Sequence, residues 1–332
     1  MKNLLPSERT ERKILVKKEA ITDKKYGKSQ EERSMQELLQ NGVICLNKPE
    51  GPSSHEVADY VKRILNMGKV GHGGTLDPKV TGVLPIALNK ATRMMEYLLK
   101  GGKEYVCLMR MHKLPPPSMI EESMKKFVGK IMQLPPVRSA VKRRRREREI
   151  YYLDVLEIDG RDVLFVMGCQ AGTYVRKFVF DFGKQLGIGA HMAQLIRTKA
   201  GPFTDKEWYS LHDLQDAFYL FKEKNDETIL RKIIKPVEFA ARHLPKVWVL
   251  DSTVDTLCHG ANLSVPGIAK LNSDIKTKDG IAVFTLKNEL VAIGQALMTS
   301  EEIMENEKGL AVKPEKVFLD PEVYPHFKPK LL

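Results

Sequence analysis

The sequence is poor in the residue patterns that mark metal and disulfide sites. Only four of its 332 residues are cysteines, and no two of them form a Cys-x-x-Cys pair. This spacing argues against a disulfide framework and a cysteine-based zinc site, and it is typical of a reducing compartment. The eight histidines show no His-Glu-x-x-His spacing. We therefore predict neither a metal nor any other cofactor.

Long apolar runs are missing as well. No stretch reaches membrane-spanning length, and the charged first residues do not resemble a secretion signal. These absences predict a soluble, cytoplasmic protein with no membrane partner. The glycine-dense stretch from Gly71 to Gly82 does not end in Gly-Lys-Ser or Gly-Lys-Thr, which argues against a phosphate-cradling nucleotide enzyme. No internal repeat is present.

Positive charge, by contrast, is in excess. The chain has 54 Lys and Arg against 42 Asp and Glu, a net charge of +12. An excess of this size favours polyanionic partners such as nucleic acid. The densest cluster predicts a phosphate-binding surface, although a solvated loop is the alternative. Its residues are Lys142, Arg143, Arg144, Arg145 and Arg146, with Arg138, Arg197 and Lys199 as possible extensions.

The most informative segment is the glycine-dense stretch from Gly71 to Gly82, which carries a single carboxylate, Asp77. Glycines allow unusual backbone conformations and close approach of a ligand. Pro78 removes a backbone donor and disfavours helical geometry at Asp77. The pattern predicts a fixed, presented acid. For an isolated Asp-Pro pair, an ordinary turn would be the better interpretation.

Local signals predict several elements around this segment. Ser53 with Glu56, and Ser118 with Glu121, are typical capping boxes that begin helices. Pro85 marks the apolar stretch 83–88 as an edge or bulged strand. The segments 151–158 and 163–169, joined by Asp159-Gly160, predict a hairpin.

Four segments occur together in an order that resembles tRNA-type pseudouridine synthases. The resemblance is closest to the archaeal dyskerin-type branch, the catalytic subunit of box H/ACA guide-RNA particles, and it covers residues 42 to 319. Its most specific part is the Asp77 stretch, while the other three would be weak individually. The four segments are 48–55, 71–82, 103–105, and 172–176 with 195–197.

The resemblance implies the fold class and the domains. The expected fold is mixed α/β (α+β), with a largely antiparallel central sheet in the catalytic domain and a small β-barrel-like PUA domain. Short β-rich segments between turns after Pro245 support the second part. The implied domains are a charged extension over 1–41 that packs on the PUA domain, a catalytic domain over 42–244, and a PUA domain over 245–325.

The resemblance also implies the chemistry, which is the isomerisation of uridine to pseudouridine in RNA. The glycosidic bond breaks, the base turns, and C5 rejoins the ribose. The family's essential aspartate falls on Asp77, whose carboxylate stabilises or traps an oxocarbenium-like species, as in glycosidases. Ribose attack and formation of a glycal intermediate both remain compatible with one aspartate.

Further roles follow from the same resemblance. Arg176 stabilises the charge of Asp77, although by itself it would be taken for a solvated helix residue. Tyr105 stacks on the target base. His72 assists the flipping of the uridine, and Leu195 forms an apolar wall of the uracil pocket. Tyr174 and Lys48 complete the expected substrate-binding set, with Lys48 supporting the structure of the active site.

The implied partners are guide RNA, ribosomal RNA, transfer RNA and three further H/ACA subunits. These are a small zinc-ribbon-like subunit, a glycine-arginine-type β-barrel subunit and a kink-turn-binding ribosomal-type protein. One alternative is a stand-alone enzyme that acts on uridine 55 in the T-loop of tRNA. The other alternative is a catalytically inactive RNA-binding scaffold.

Overall fold

The structure is a computed structural model that describes residues 3–9, 11–135 and 142–326. Arg138 therefore lies outside the described residues. The strands in chain order are β1 (Ile14–Val16), β2 (Gly42–Lys48), β3 (Val70–His72), β4 (Thr81–Leu88), β5 (Lys103–Met111), β6 (Gly129–Gln133), β7 (Arg146–Asp159), β8 (Asp162–Cys169), β9 (Ala190–Ala200), β10 (Phe203–Thr204), β11 (Ile234–Pro236), β12 (Lys246–Val249), β13 (Leu263–Ser264), β14 (Ile268–Asn272), β15 (Gly280–Thr285), β16 (Leu290–Ala296) and β17 (Leu310–Val317).

Helices connect these strands. The α-helices are α1 (Pro6–Arg9), α2 (Met35–Asn41), α3 (Ser54–Ile64), α4 (Met95–Lys100), α5 (Pro117–Lys125), α6 (Val175–Gln185), α7 (Leu211–Lys224), α8 (Thr228–Ile233), α9 (Asp251–Cys258) and α10 (Ser300–Glu305). Short 3-10 helices span Asn89–Met94, Asp205–Glu207, Val237–Ala241 and Val265–Gly267. No helix among the described residues is long and apolar enough to cross a membrane.

The described residues form two compact units that are interleaved along the chain. Unit 1 comprises residues 3–9, 44–86, 98–135 and 142–226, and unit 2 comprises residues 11–43, 87–97 and 227–326. The units group residues by packing and do not define domain boundaries, and residues 3–9 pack in unit 1. The division into 1–41, 42–244 and 245–325 stays a prediction.

Unit 1 contains a mostly antiparallel sheet in the order β2-β4-β9-β5-β8-β7-β6. β5 lies between β8 and β9 and is antiparallel to both, while β4 and β9 are parallel. The apolar face of α6, with Phe178, Val179 and Phe182, belongs to the core cluster that contains Phe165 and Met167 of β8. The largely antiparallel sheet and the mixed α+β class are confirmed.

Unit 2 contains a seven-stranded sheet in the order β1-β14-β12-β15-β16-β17-β13. Its pairs are antiparallel except for β12 with β15. Strand β1 pairs with β14 through Ile14 opposite Asn272 and Val16 opposite Lys270. The early, charge-rich segment of the chain therefore contributes an edge strand to this sheet.

Local sequence signals succeed and fail for identifiable reasons. Ser53 and Glu56 form the predicted capping box of α3. Ser118 does not cap α5, which begins at Pro117 after Pro116 and has no side-chain cap, because proline itself is suited to the first helical turn. The predicted hairpin forms, with Asp159 opposite Asp162.

Pro85 does not place β4 at a sheet edge. The strand lies between β2 and β9 in the sheet order, so the predicted edge position is wrong. The paired residues of β4 and β9 are Thr81 with Ile196 and Gly82 with Arg197, before the proline. The missing proline N–H therefore does not interrupt that ladder.

Candidate functional site

Asp77 lies on the loop that joins β3 to β4. Three contacts fix this loop: the Gly73 N–H donates to the Pro85 carbonyl at 2.8 Å, the Leu76 N–H donates to Ser54 Oγ at 2.8 Å, and the Val80 N–H donates to the Asp77 carbonyl at 2.9 Å. Gly82, with φ +105°, lies so close to β9 that an added Cβ would sit 2.3 Å from the Arg197 carbonyl oxygen. The loop is held at both ends.

Lys48 supports the Asp77 loop from inside the protein. Its side chain is fully buried, and its ammonium donates to the carbonyls of Pro49, Pro78 and Val80 at 2.8–3.0 Å. Burial lowers the pKa of this ammonium, and Asp77 and Glu50 oppose that effect. With all three donors in use and no exposed surface, Lys48 supports the loop. A direct role in substrate binding stays a prediction.

Arg197 is a second buried cation next to the loop. Only 1% of this residue is exposed, and its Nε and Nη2 donate to the carbonyls of Val83 and Gly74 at 2.7 and 3.1 Å. It also hydrogen bonds to Tyr105, while burial lowers the pKa of its guanidinium. The suggestion that Arg197 extends an RNA-binding surface is therefore wrong, because the side chain faces inward on β9.

Lys103 is a third buried cation, at the start of a segment that carries the resemblance but to which no role was assigned from the sequence. Its ammonium donates to the carbonyls of Leu98, Leu99 and Gly101 at 2.7–2.9 Å, and burial lowers its pKa to about 7. Its burial could have been predicted from the alternation of side chains along β5, which puts Lys103, Tyr105 and Cys107 on one face of the strand. That face continues into the core at Cys107.

The carboxylate of Asp77 forms an ion pair with Arg176 in the first turn of α6. Asp77 Oδ2 and Arg176 Nη1 are 2.9 Å apart, and each side chain is 51% exposed. The positive end of a helix dipole adds to the favourable environment for a negative charge. Two groups from distant parts of the chain thus meet as a charged, accessible pair.

Asp77 and Arg176 line a cavity of about 430 Å³. Tyr105 and Leu195 line it as well, and so do Tyr174, Lys103 and Arg197. Burial raises the pKa of the Tyr105 phenol, although the nearby Arg197 acts in the opposite direction. The cavity combines one accessible carboxylate with an aromatic ring and an apolar wall, which suits a flat polar base attached to a sugar.

His72 is not one of the lining residues of this cavity. Its ring contacts His55 edge-on, with ring centroids 4.7 Å apart, and its Nδ1 is buried without a partner among the described residues. Burial, His55 and Arg197 lower the pKa of His72 to about 4, so the ring is neutral at neutral pH. A direct role in substrate binding stays a prediction.

The basic run divides into two parts. Residues 142–145 are exposed, whereas Arg146 is partly buried at the start of β7. Lys199 pairs with Glu8 at 3.1 Å and with Glu104 at 3.3 Å, so its charge is already compensated. Within residues 3–9, 11–135 and 142–326, no group of three His, Cys, Asp or Glu side chains is arranged to hold a metal ion.

Four family models match the chain. They are the TruB family pseudouridylate synthase N-terminal domain over residues 62–175, the tRNA pseudouridylate synthase B C-terminal domain over 176–242, the PUA domain over 245–318 and the DKCLD domain over 3–58. The chain is 54% identical over 327 residues to a probable tRNA pseudouridine synthase B of Pyrococcus horikoshii, covering 98% of each.

Solved structures are similar over almost the whole chain. A Cbf5-Nop10-Gar1 complex contains a chain that is 53% identical, with a TM-score of 0.94 and coverage of 98% of this chain and 99% of that one. An H/ACA RNP bound to a substrate RNA containing 2'-deoxyuridine contains a chain that is 51% identical, with a TM-score of 0.92 and coverage of 97% and 99%.

Proposed function

Because this chain belongs to the TruB family of pseudouridylate synthases, we propose that it isomerises specific uridines of RNA to pseudouridine in the Asp77 cavity. The observation that carries this proposal is the accessible Asp77–Arg176 pair, which shares its cavity with Tyr105 and Leu195. An anionic oxygen at the anomeric carbon is what a reaction through an oxocarbenium-like species requires.

In the proposed reaction, Asp77 acts as the nucleophile. The C1′–N1 bond breaks as a bond forms between the Asp77 carboxylate and C1′. The detached uracil turns within the cavity, and C5 then attacks C1′ and displaces the carboxylate. C5 loses its proton and N1 gains one, so the product is an isomer of the substrate. No oxidant, reductant or second substrate is required.

The other cavity residues have positioning roles in this proposal. Arg176 stabilises the carboxylate before attack and after displacement, when its full negative charge is present. The ring of Tyr105 offers a face on which the uracil can stack in more than one orientation. Leu195 and Tyr174 close the sides of the pocket and exclude water from the intermediate.

Two sources of the uridine are compatible with the comparisons. The curated relative named for tRNA supports direct action on uridine 55 in the T-loop. The solved H/ACA RNP and the Cbf5-Nop10-Gar1 complex support a particle in which a guide RNA selects uridines of ribosomal RNA. A β-barrel subunit and a small zinc-ribbon-like subunit are the partners expected in it. A kink-turn-binding protein completes the expected particle.

We further propose the domain division 1–41, 42–244 and 245–325, with the last segment binding the 3′ region of a guide RNA. The PUA match over 245–318 and the β1–β14 pairing support the division. We also place the protein in the cytoplasm, a reducing compartment in which the free cysteines Cys45, Cys107, Cys169 and Cys258 would persist. Cell fractionation tests this location.

The decisive experiment compares the wild-type chain with Asp77→Asn on tRNA, and on ribosomal RNA fragments with and without guide RNA. We expect Asp77→Asn to bind RNA normally but to form no detectable pseudouridine. Asp59→Asn, which changes an exposed acid on α3, is the matched control and should retain full activity. Normal product from Asp77→Asn would refute the nucleophile, and RNA binding without product by the wild type would support the scaffold alternative.

A further inference from the structure

Strand β9 contains a β-bulge next to the proposed active site. In the pairing of β9 with β5, Lys199 lies opposite Glu104. The next residue of β5, Tyr105, lies opposite Arg197 rather than Thr198. Thr198 is therefore an extra residue of β9 that has no counterpart on β5. Bulges of this kind re-aim side chains, and they are over-represented next to active sites.

The bulge decides which face of the sheet Arg197 occupies. Lys199 contacts Glu104 on the face opposite to Tyr105, because side chains alternate along β5. In a regular strand Arg197 would share that face with Lys199, since the two residues are two positions apart. The extra residue turns Arg197 to the other face, where it hydrogen bonds to Tyr105 and lines the Asp77 cavity.

Glu104 holds the bulge from the face of the sheet that is turned away from the cavity. Its Oε1 accepts a hydrogen bond from the Thr198 hydroxyl at 2.8 Å, and its Oε2 accepts one from the Tyr152 phenol of β7. The Lys199 ammonium lies 3.3 Å from Oε2 and compensates the charge of the carboxylate, whose side chain is 13% exposed. Both oxygens are thus engaged by neighbouring strands, and Glu104 does not line the cavity.

Tyr152 reaches Glu104 because a glycine lies between them. Strand β8 separates β7 from β5, and its Gly168 is paired with both residues. An added Cβ at Gly168 would lie 2.2 Å from two carbons of the Tyr152 ring. The ring therefore crosses β8 at this glycine, and a single carboxylate joins β7, β5 and β9.

We propose that Glu104 is a positioning residue of the reaction: it holds the bulge in β9 and thereby keeps Arg197 and Tyr105 in the cavity. The proposal rests on the function proposed above and adds a residue that does not touch the substrate. Without this anchor the pairing of β9 can slip by one residue, which turns Arg197 away from the cavity. The Tyr105 ring then loses its hydrogen-bond partner, and the Gly74 carbonyl of the Asp77 loop loses its donor.

The first test compares the single-turnover rate of pseudouridine formation with the RNA affinity, using the full chain and whichever RNA the wild type modifies. Glu104→Ala should lower the rate about 10- to 100-fold, the loss expected from a small misplacement of groups in an active site, and should leave the RNA affinity unchanged. Glu104→Gln keeps the shape and an acceptor for Thr198, so it should recover most of the rate.

Glu157→Ala is the matched control, because it removes an exposed carboxylate from β7. It should have the rate and the affinity of the wild type. A wild-type rate in Glu104→Ala, or a loss of affinity as large as the loss of rate, would overturn the proposal.

A double-mutant cycle tests whether Glu104 acts through the bulge. Thr198→Val removes the hydroxyl but keeps the branched shape of the side chain, so it should also lower the single-turnover rate. In the Glu104→Ala background it should have no further effect, because the hydrogen bond between the two residues is already absent. Additive losses would mean that the two residues act independently, and they would overturn the proposal.

A spectroscopic test does not depend on activity. The chain is labelled with fluorotyrosine, and the fluorine NMR resonances of Tyr105 and Tyr219 are assigned from their Phe variants. In Glu104→Ala the Tyr105 resonance should shift or broaden, whereas that of Tyr219, which is exposed on α7, should not change. A change in both resonances would indicate a general loss of structure and would overturn the positioning role.

Together these tests separate this inference from the proposed function. If the wild type forms pseudouridine but the Tyr105 resonance is the same with and without the Glu104 carboxylate, the positioning role is wrong and the function stands. If the resonance of Tyr105 alone changes but no RNA is modified by the wild type, Glu104 does hold Tyr105 and the proposed function is wrong.

Discussion

The two units treat buried charge differently. In unit 1, the ammonium groups of Lys48 and Lys103 and the guanidinium of Arg197 donate to main-chain carbonyls. In unit 2, the buried Glu238 is paired bidentately with Arg33, at 2.7 and 2.8 Å. A carbonyl satisfies the hydrogen bonds of a cation but leaves its charge uncancelled, whereas a carboxylate cancels it.

This difference matches what each region has to do. Lys103 and Arg197 line the cavity that contains Asp77, and Lys48 donates to the carbonyls of the Asp77 loop. A positive potential there favours both the carboxylate and an approaching polyanion. The Arg33–Glu238 pair of unit 2 carries no net charge, so it serves packing and chain connection. Charged side chains thus build an electrostatic field in one region of the molecule and cancel each other in another.

The largest effect is expected when the paired charge of unit 2 is broken. Arg33→Met leaves the Glu238 carboxylate buried without its cation, which should lower the free energy of unfolding by about 3–5 kcal/mol. Urea unfolding of the full chain measures this change. The double variant Arg33→Met, Glu238→Gln should recover part of the loss. An unchanged free energy of unfolding would show that the Arg33–Glu238 ion pair does not stabilise the folded chain.

Lys48→Met should destabilise the chain less than Arg33→Met does, but it should lower the activity as well. Three carbonyls lose their donor, at a cost of about 2–3 kcal/mol, and two of them belong to the loop that carries Asp77. The single-turnover rate of pseudouridine formation should therefore fall more than the RNA affinity does. Lys62→Met, on the exposed face of α3, is the control. Equal losses of rate and affinity would refute a loop-positioning role.

Acid should affect the two units in different pH ranges. The pKa of His72 is about 4 in the folded chain against an ordinary 6.5, so unfolding takes up a proton between these values and stability falls as the pH drops from 6.5 to 4. His72→Phe should remove about 1–3 kcal/mol of this acid sensitivity, measured as the difference in unfolding free energy between neutral and acidic buffer.

In unit 2, the Glu322 N–H and His326 hold the pKa of Asp255 below its ordinary value of 3.8. The stabilisation from Asp255 is therefore complete above pH 3.8 and is lost only as the pH falls further, through the folded pKa. Asp255→Asn should leave the response between pH 6.5 and 4 unchanged. If Asp255→Asn changed the loss of stability between pH 6.5 and 4 as much as His72→Phe does, the two units would not differ in the pH range of their acid sensitivity.

The smallest effect is expected from an exposed ion pair. Lys130 and Glu147 are 3.0 Å apart on the solvent face of β6 and β7, with both side chains more than half exposed. Lys130→Ala should change the free energy of unfolding by no more than about 0.5 kcal/mol. The same urea titration measures this change. A loss as large as that of Arg33→Met would mean that the contribution of an ion pair to stability does not depend on its burial.

Features that depend on neighbouring residues in the chain were predicted well from the sequence. Features that depend on tertiary packing were predicted less well. The capping box at Ser53 and the hairpin turn at Asp159 formed as expected, because each needs only a few consecutive residues. Ser118 carried the same local pattern as Ser53, yet the prolines before it began the helix instead. Pro85 predicted an edge or bulged strand because proline lacks an N–H, but β4 lies between β2 and β9, whose residues come from distant parts of the chain.

Charge was the hardest feature to assign from the sequence. Arg197 and Lys199 are close in sequence, and both were taken for surface residues that contact RNA. The first is buried against the Asp77 loop, and the second is paired with two acids. Whether a cation is free, paired or bound to carbonyls depends on which strands lie beside it, and that information is not local.

The sequence alone singled out Asp77 as the candidate acid, because the resemblance depends on short segments whose residues are neighbours in the chain. It also determined the strands and helices whose apolar periodicity is unambiguous. The resemblance led us to expect Arg176 beside Asp77 and Lys48 in support of the active site. Only the tertiary structure decided which atoms meet, and that Arg197 holds the loop from within. Such contacts join segments far apart in the chain, and only packing brings those segments within hydrogen-bond distance.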